Sequence, residues 1–181
     1  SEGIKLRFNK KVDGIPYDGK YIFSEMGYNF LPSEISAAFA LEQLKKLKSN
    51  ISIRVKNFNK INNYFKKYKD LFILPTEFKG LKTGWLAYPL IIKDHKKIKR
   101  TDLQIFLETN NVQTRTIFTG NILRQPIMKK RFYKKCKNSY NNSDFIMKNG
   151  MLIGCHHGLS FKDIDYMLSK FDNFFKKNNL Q

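Results

Sequence analysis

The chain of 181 residues has no apolar run near the roughly 18 residues that a membrane-crossing helix needs, and no charged-then-apolar leader opens it. No membrane partner is expected, and a cytoplasmic location is. Cysteine is scarce. Cys136 and Cys155 are the only two, far from CxxC spacing, so they predict neither a zinc nor an iron–sulfur site. Two reduced thiols suit a reducing compartment. GxSxG, HExxH, the P-loop and GxGxxG are all missing, so no complete catalytic set can be read. There is no internal repeat, and the first residue is Ser1 rather than Met.

Acid is in short supply too: 15 Asp and Glu face 34 Lys and Arg, a net charge of +19. Such an excess attracts polyanions through counterion release, which keeps a basic module for RNA or another polyanion open as an alternative of a different class. Two features count against it. Lysine supplies 28 of the 34 cations, whereas recognition surfaces favour the arginine fork. No aromatic-flanked recognition motif is present. Nucleic acid is not an expected partner, and most lysines read as solvated faces.

What is present supports a core. The chain is 41% hydrophobic and 14% aromatic, and its length can bury about two-thirds of the unfolded surface. Glycines and Pro16 punctuate the stretch up to Tyr28, which reads as an irregular arm. Residues 1–31 are expected to pack on something outside this chain. Residues 32–70 read as a long linking helix or helix pair. Pro32, Ser33 and Glu34 mark its start, and Ile35, Ala38, Phe39, Leu41, Leu44 and Leu47 line an apolar face. A break or bend is expected at Ser49–Asn50, before Ile51, Val55, Phe58, Ile61 and Phe65 resume the stripe.

Residues 71–181 read as an α+β domain. Strands are predicted over residues 71–74, 85–92, 112–118 and 151–155, with a short helix from Thr101 to Leu107. Residues 129–142 are basic and polar, and predict a surface loop or frayed helix. Ser160 and Asp163 predict a capping-box start for a last helix, whose stripe is Phe161, Ile164, Leu168, Phe171 and Phe175.

Two segments carry chemistry that the fold does not require. Residues 24–29 (SEMGYN) enter the long helix; Asn29 is either a helix-entry turn residue or an amide donor to a ligand. Residues 113–126 hold two of the six arginines, Arg115 and Arg124, among Thr, Asn and Gln, with Gly120 allowing close backbone approach. This is either a polar strand end or a site for phosphate and sugar hydroxyls. His156 and His157 are adjacent, so on a strand they would face opposite ways and make a poor metal site. One of them could instead face substrate. His95, among charged neighbours, reads as a solvated turn residue. No metal is expected.

The stretches "GYNFLPSEISAAFALEQLKKL" (27–47), "TRTIFTGNILRQP" (114–126) and "IGCHHGLSFKDIDYMLSKFDNFF" (153–175) resemble the sugar aminotransferase and dehydratase family named for DegT, DnrJ, EryC and StrS. The second is more similar to the 3-dehydratase branch, which acts on nucleotide 4-keto-6-deoxy sugars in the making of colitose- or ascarylose-type deoxysugars, including those of lipopolysaccharide O-antigens. The resemblance implies the C-terminal small domain of a fold-type-I aminotransferase: a long helix, a small mostly antiparallel sheet and flanking helices. It implies pyridoxamine or pyridoxal 5'-phosphate, bound mainly by an N-terminal domain not in this chain. No catalytic base is implied here; in the dehydratase branch a histidine upstream of Ser1 would take the place of the Schiff-base lysine. A lysine there would indicate an aminotransferase, the runner-up. Asn29, with Tyr28 beside it, would reach the cofactor phosphate of the neighbouring subunit. Arg115, Phe118, Asn121 and Arg124 would line the pocket for a nucleotide-diphosphate sugar. The partners implied are a second copy of the intact protein or a separate N-terminal chain. This chain alone is expected to be inactive, with apolar surface exposed. A catalytically dead scaffold is a further alternative.

Overall fold

The computed structural model describes residues 10–12, 15–17, 28, 30–94, 96–126, 128 and 139–180. They divide into two units, Ser1–Glu42 and Gln43–Gln181. In the first, β1 (Lys10–Val12) pairs antiparallel with β2 (Ile15–Tyr17), in a register from Lys10↔Tyr17 to Val12↔Ile15. The arm expected to be irregular thus contains a hairpin. Its signal was in the sequence: Asp-Gly, at positions 13 and 14, is a preferred dipeptide for two-residue hairpin connections. His95 and Cys136 lie outside the described residues.

A single helix, α1 (Glu34–Phe65), takes in 32 residues. The break expected at Ser49–Asn50 does not occur. Ser49 Oγ donates to the Lys46 carbonyl at 2.9 Å, so the hydroxyl bonds along the helix rather than interrupting it. The apolar stripe behaves differently along its length. Its C-terminal part is buried at Phe58, Ile61 and Phe65, whereas Ile35, Phe39 and Leu44 are 83%, 67% and 64% exposed. No helix among the described residues is long and apolar enough to cross a membrane.

The second unit is built on a four-stranded antiparallel sheet in the order β3-β4-β6-β5. Its strands are β3 (Phe72–Ile73), β4 (Ala87–Ile92), β5 (Thr114–Thr116) and β6 (Gly150–Gly154). Each predicted strand is present; the first three are shorter than predicted, and the last has the predicted length, shifted by one residue. Pro89 is tolerated in β4 since β3 pairs only with Ile91 and Ile92, leaving Pro89 a partner on the β6 side alone. Alternation in β4 sends Tyr88, Leu90 and Ile92 into the core, joined by Met151 and Ile153 of β6.

Among the described residues three further helices belong to the unit: α2 (Arg100–Thr109), α3 (Asn141–Asn149) and α4 (Phe161–Lys177). Helix α3 starts at the end of the segment predicted as a loop or frayed helix, residues 129–142, and runs on where no helix was expected. Asn141, Asn142, Ser143 and Asp144 are weak helix formers, and only Asn149 is buried, so no apolar stripe announces it. Helix α4 follows its prediction. Ser160 Oγ accepts from the Asp163 amide at 3.3 Å, and Asp163 Oδ2 accepts from the Ser160 amide at 2.8 Å. The shorter Asp closes the box as Glu would.

Phe65 holds these layers together. It is fully buried, edge-on to Phe171 of α4 (centroids 5.0 Å, 89°) and to Phe72 of β3 (5.5 Å, 73°), and stacked at 5.7 Å on Tyr88 of β4. Asn57, on the same helix, is also buried. Its Nδ2 donates to the carbonyls of His156 (3.0 Å) and Leu159 (3.2 Å), fixing the loop between β6 and α4. Phe65→Ala is expected to lower unfolding free energy by about 3–5 kcal/mol, read from the urea midpoint. Leu44→Ser, on the exposed part of the same stripe, should change it by less than about 0.5 kcal/mol.

Candidate functional site

The segment following α2 forms the edge of the sheet and then a turn. Thr114 is buried. Its amide and its hydroxyl both donate to Glu108 Oε1 of α2, the hydroxyl at 2.9 Å, and the Thr114 oxygen accepts from Gln104 Nε2 at 3.0 Å. These bonds hold the Glu108 carboxyl below its usual range, the Thr114 amide contributing most. They also occupy an edge amide that would otherwise invite another strand. Arg115, next along, is exposed, with Nη1 on the Thr114 carbonyl at 3.1 Å.

Beyond β5 the backbone enters unusual territory. Phe118 has φ +45° and is 87% exposed; Gly120 has φ +64°. An exposed phenylalanine in the left-handed region is costly in two ways at once, in strain and in wetted apolar surface, and such positions cluster at ligand sites. A side chain at Gly120 would come within 2.4 Å of Met147 Cγ, so only glycine lets the turn lie on α3. Gln125 Nε2 donates to the Thr119 carbonyl at 2.9 Å across the turn.

Helix α3 clamps this turn. Asp144 receives both Nε and Nη2 of Arg124 on its two oxygens, and Asn121 Nδ2 on Oδ1 at 2.7 Å. The other end of the Asn121 amide accepts from the Leu123 amide at 3.1 Å, capping a short 3-10 turn, Ile122–Arg124. The arrangement depresses the Asp144 carboxyl to about 2, chiefly through the Arg124 bonds and then through Asn121, and raises Arg124.

The predicted site residues therefore separate. Arg115 and Phe118 are presented outward. Asn121 is buried and bonded to Asp144, whereas Arg124 pairs with the same carboxylate at the surface, its side chain 61% exposed. Tyr28 is 87% exposed with its ring 5.4 Å from that of Phe30; Asn29 lies outside the described residues. Asp144 escaped the sequence reading because the helix carrying it did; an Asn-Ser-Asp run as a helix start was the available signal.

Arg115 also lines a cavity of about 400 Å³ at the start of β5, together with Gln113, His156, Asp163 and Tyr166 over a floor that includes Leu152. His156 follows β6 in a turn, and its Nδ1 accepts from the Gly158 amide at 3.2 Å. His157 Nδ1 accepts from Arg54 Nε at 3.2 Å. The two histidines serve different neighbours. Cys155 is buried against the Trp85 carbonyl, and burial pushes its thiol up to about 12.

Residues 6–172 match the DegT/DnrJ/EryC1/StrS aminotransferase family. The chain belongs to this family. Its relatives include the lipopolysaccharide biosynthesis protein RfbH of Salmonella typhimurium, 30% identical over 95% of this chain and 40% of its own length. The GDP-4-keto-6-deoxy-D-mannose 3-dehydratase of Escherichia coli O55:H7 is 33% identical over 87% of this chain and 41% of its own. The chain thus spans about two-fifths of these relatives. In three dimensions it is similar to a GDP-4-keto-6-deoxymannose-3-dehydratase (ColD) with bound GDP-perosamine, at a TM-score of 0.74 and 31% identity over 92% of this chain and 44% of that one. An aminotransferase from Psychrobacter cryohalolentis shares the fold at a TM-score of 0.77, with 12% identity over 94% and 44% of the two chains. The architecture is that of a part of the fold-type-I enzymes in this family.

The Asp144 clamp has a definite pH window. A carboxyl at about 2 when folded and 3.8 ordinarily contributes stability above about pH 4, and loses it as pH falls through 2. The Asn121 side-chain amide resonances should therefore shift on acidification between pH 4 and 2, and Asp144→Asn should abolish that titration in NMR spectra.

Proposed function

We propose that this chain is the C-terminal portion of a nucleotide-sugar 3-dehydratase that acts on a GDP-4-keto-6-deoxymannose-type substrate with a vitamin-B6 cofactor, in deoxysugar and O-antigen biosynthesis. The observation that carries the reading is the turn of residues 114–126. The segment that resembles the dehydratase branch is the one that the structure holds at the surface, with Arg115 facing out and Phe118 in a strained, solvent-exposed posture. Identity of 30–33% to dehydratases and the RfbH protein, against 12% to the aminotransferase of the same fold, favours dehydration over amino transfer.

The residues present suit the edge of a cofactor site. Tyr28 offers an exposed phenol just before α1. We assign Tyr28 and Asn29 to the cofactor phosphate of a neighbouring subunit. Bound there, the cofactor ring supplies an electron sink for bonds broken next to the sugar ketone. Arg115 contributes a guanidinium to the diphosphate, with a geometry suited to paired oxygens. Phe118 covers the sugar and excludes water from it. Asn121 and Arg124 act from beneath, keeping the turn in the one shape that presents the other two. The general base lies in the part of the protein outside this chain, which works as a dimer or with a second chain.

The test uses the intact protein. Incubated with pyridoxamine 5'-phosphate and the 4-keto-6-deoxy nucleotide sugar, it should release a 3-deoxy sugar nucleotide, detected by mass spectrometry. Arg115→Ala should raise KM at least about tenfold, the size expected for losing a hydrogen bond to a charged group. Release of a 4-amino sugar with glutamate as donor would move the reading to an aminotransferase.

A further inference from the structure

Arg100 is the first residue of α2, and its guanidinium is turned inward. Nη1 donates to the carbonyls of Met147 (3.0 Å) and Gly150 (3.3 Å), tying α2 to the junction of α3 and β6. Nε is buried and has no partner. No carboxylate pairs with this arginine among the described residues, and burial is what lowers its pKa. A half-buried guanidinium whose Nε is shut off from solvent without an acceptor, and which has no counter-charge among the described residues, is an expensive arrangement.

The same side chain lines a cavity of about 140 Å³ roofed by the turn after β5. Thr116, Phe118, Thr119, Gly120 and Gln125 form the rest of its wall with Met147. The volume is several times the roughly 30 Å³ share of one water and well below the roughly 300 Å³ of a drug-sized pocket, so it admits one small polyatomic group. Thr116 and Gln125 already donate to carbonyls of the turn. The Arg100 guanidinium, which keeps N–H groups beyond those that Nη1 gives to the two carbonyls, and Thr119 with its hydroxyl line the same wall, and both groups suit an oxyanion. The contact of Gly120 with Met147 keeps the turn seated over this space.

We propose that this cavity is a phosphoryl-binding pocket, in which Arg100 and Thr119 grip one tetrahedral oxyanion beneath the turn. The inference deepens the reading above and rests on it only for the source of the group. A sugar nucleotide would bring a phosphoryl of its diphosphate, and free phosphate offers the same chemistry.

The experiment follows the arginine Nε–H cross-peaks of the 181-residue chain in 1H–15N spectra, at ionic strength held constant with chloride. The Arg100 peak, assigned by its loss in Arg100→Lys or through bonds where that variant fails to fold, should move saturably with inorganic phosphate while the Arg54 peak stays. Thr119→Val should weaken that response roughly two- to tenfold. Tighter saturation by GDP than by phosphate supports the nucleotide as source; equal or weaker saturation supports free phosphate. An Arg100 peak that ignores phosphate, or that follows chloride equally, overturns the proposal. A phosphate response together with an intact protein that lacks dehydratase activity would leave this pocket standing and remove the function proposed above.

Discussion

The second unit depends on the burial of one ring. Phe65 ends α1 inside the sheet, where it meets Phe72, Tyr88 and Phe171 from two strands and the last helix. Everything the site uses is placed relative to that contact. It sets the depth of α1, α1 sets Asn57, and Asn57 fixes the loop that carries His156 and leads into α4. Aromatic pairs in edge-on geometry add modestly to the area they bury, but they are directional, so they specify an angle as well as a distance.

A second constraint works at the β5 edge of the sheet. The turn after β5 leaves much of its apolar surface unburied, so polar bonds hold its shape. Asp144 gathers Arg124 and Asn121 onto one carboxylate, Gly120 gives up its side chain to lie on Met147, and Glu108 blocks the neighbouring edge. A turn made in this way can keep a phenylalanine exposed in a strained conformation, since the cost is met by bonds elsewhere in the segment. The arginines that look equivalent in the sequence thereby take unlike duties: Arg124 builds, Arg115 presents, and Arg100 lines the cavity beside the turn.

Much of this was legible in the residues, and the failures have physical causes. The capping box of Ser160 and Asp163, the stripe of α4 and the alternation of β4 are local signals, and local signals survive into the fold. Of the break or bend read at Ser49–Asn50, the break is absent because a hydroxyl that often interrupts a helix can also bond along it. Helix α3 escaped because it buries almost nothing, so its existence depends on tertiary contacts that no periodicity records. For the same reason Asp144 could not be named in advance. The segment 114–126 was recognisable by composition, but which of its polar groups face outward depends on a partner more than twenty residues away in sequence.

The seclusion of Cys155 has a practical consequence. Its sulfur sits at the end of β6 against the Trp85 carbonyl, protonated at any ordinary pH. Alkylating reagents attack thiolates, so modification of this sulfur has to wait until the strand end parts from its neighbours. Peptide mapping after timed exposure to iodoacetamide would turn one cysteine into a clock for the breathing of the sheet, at the edge where the His156 loop begins.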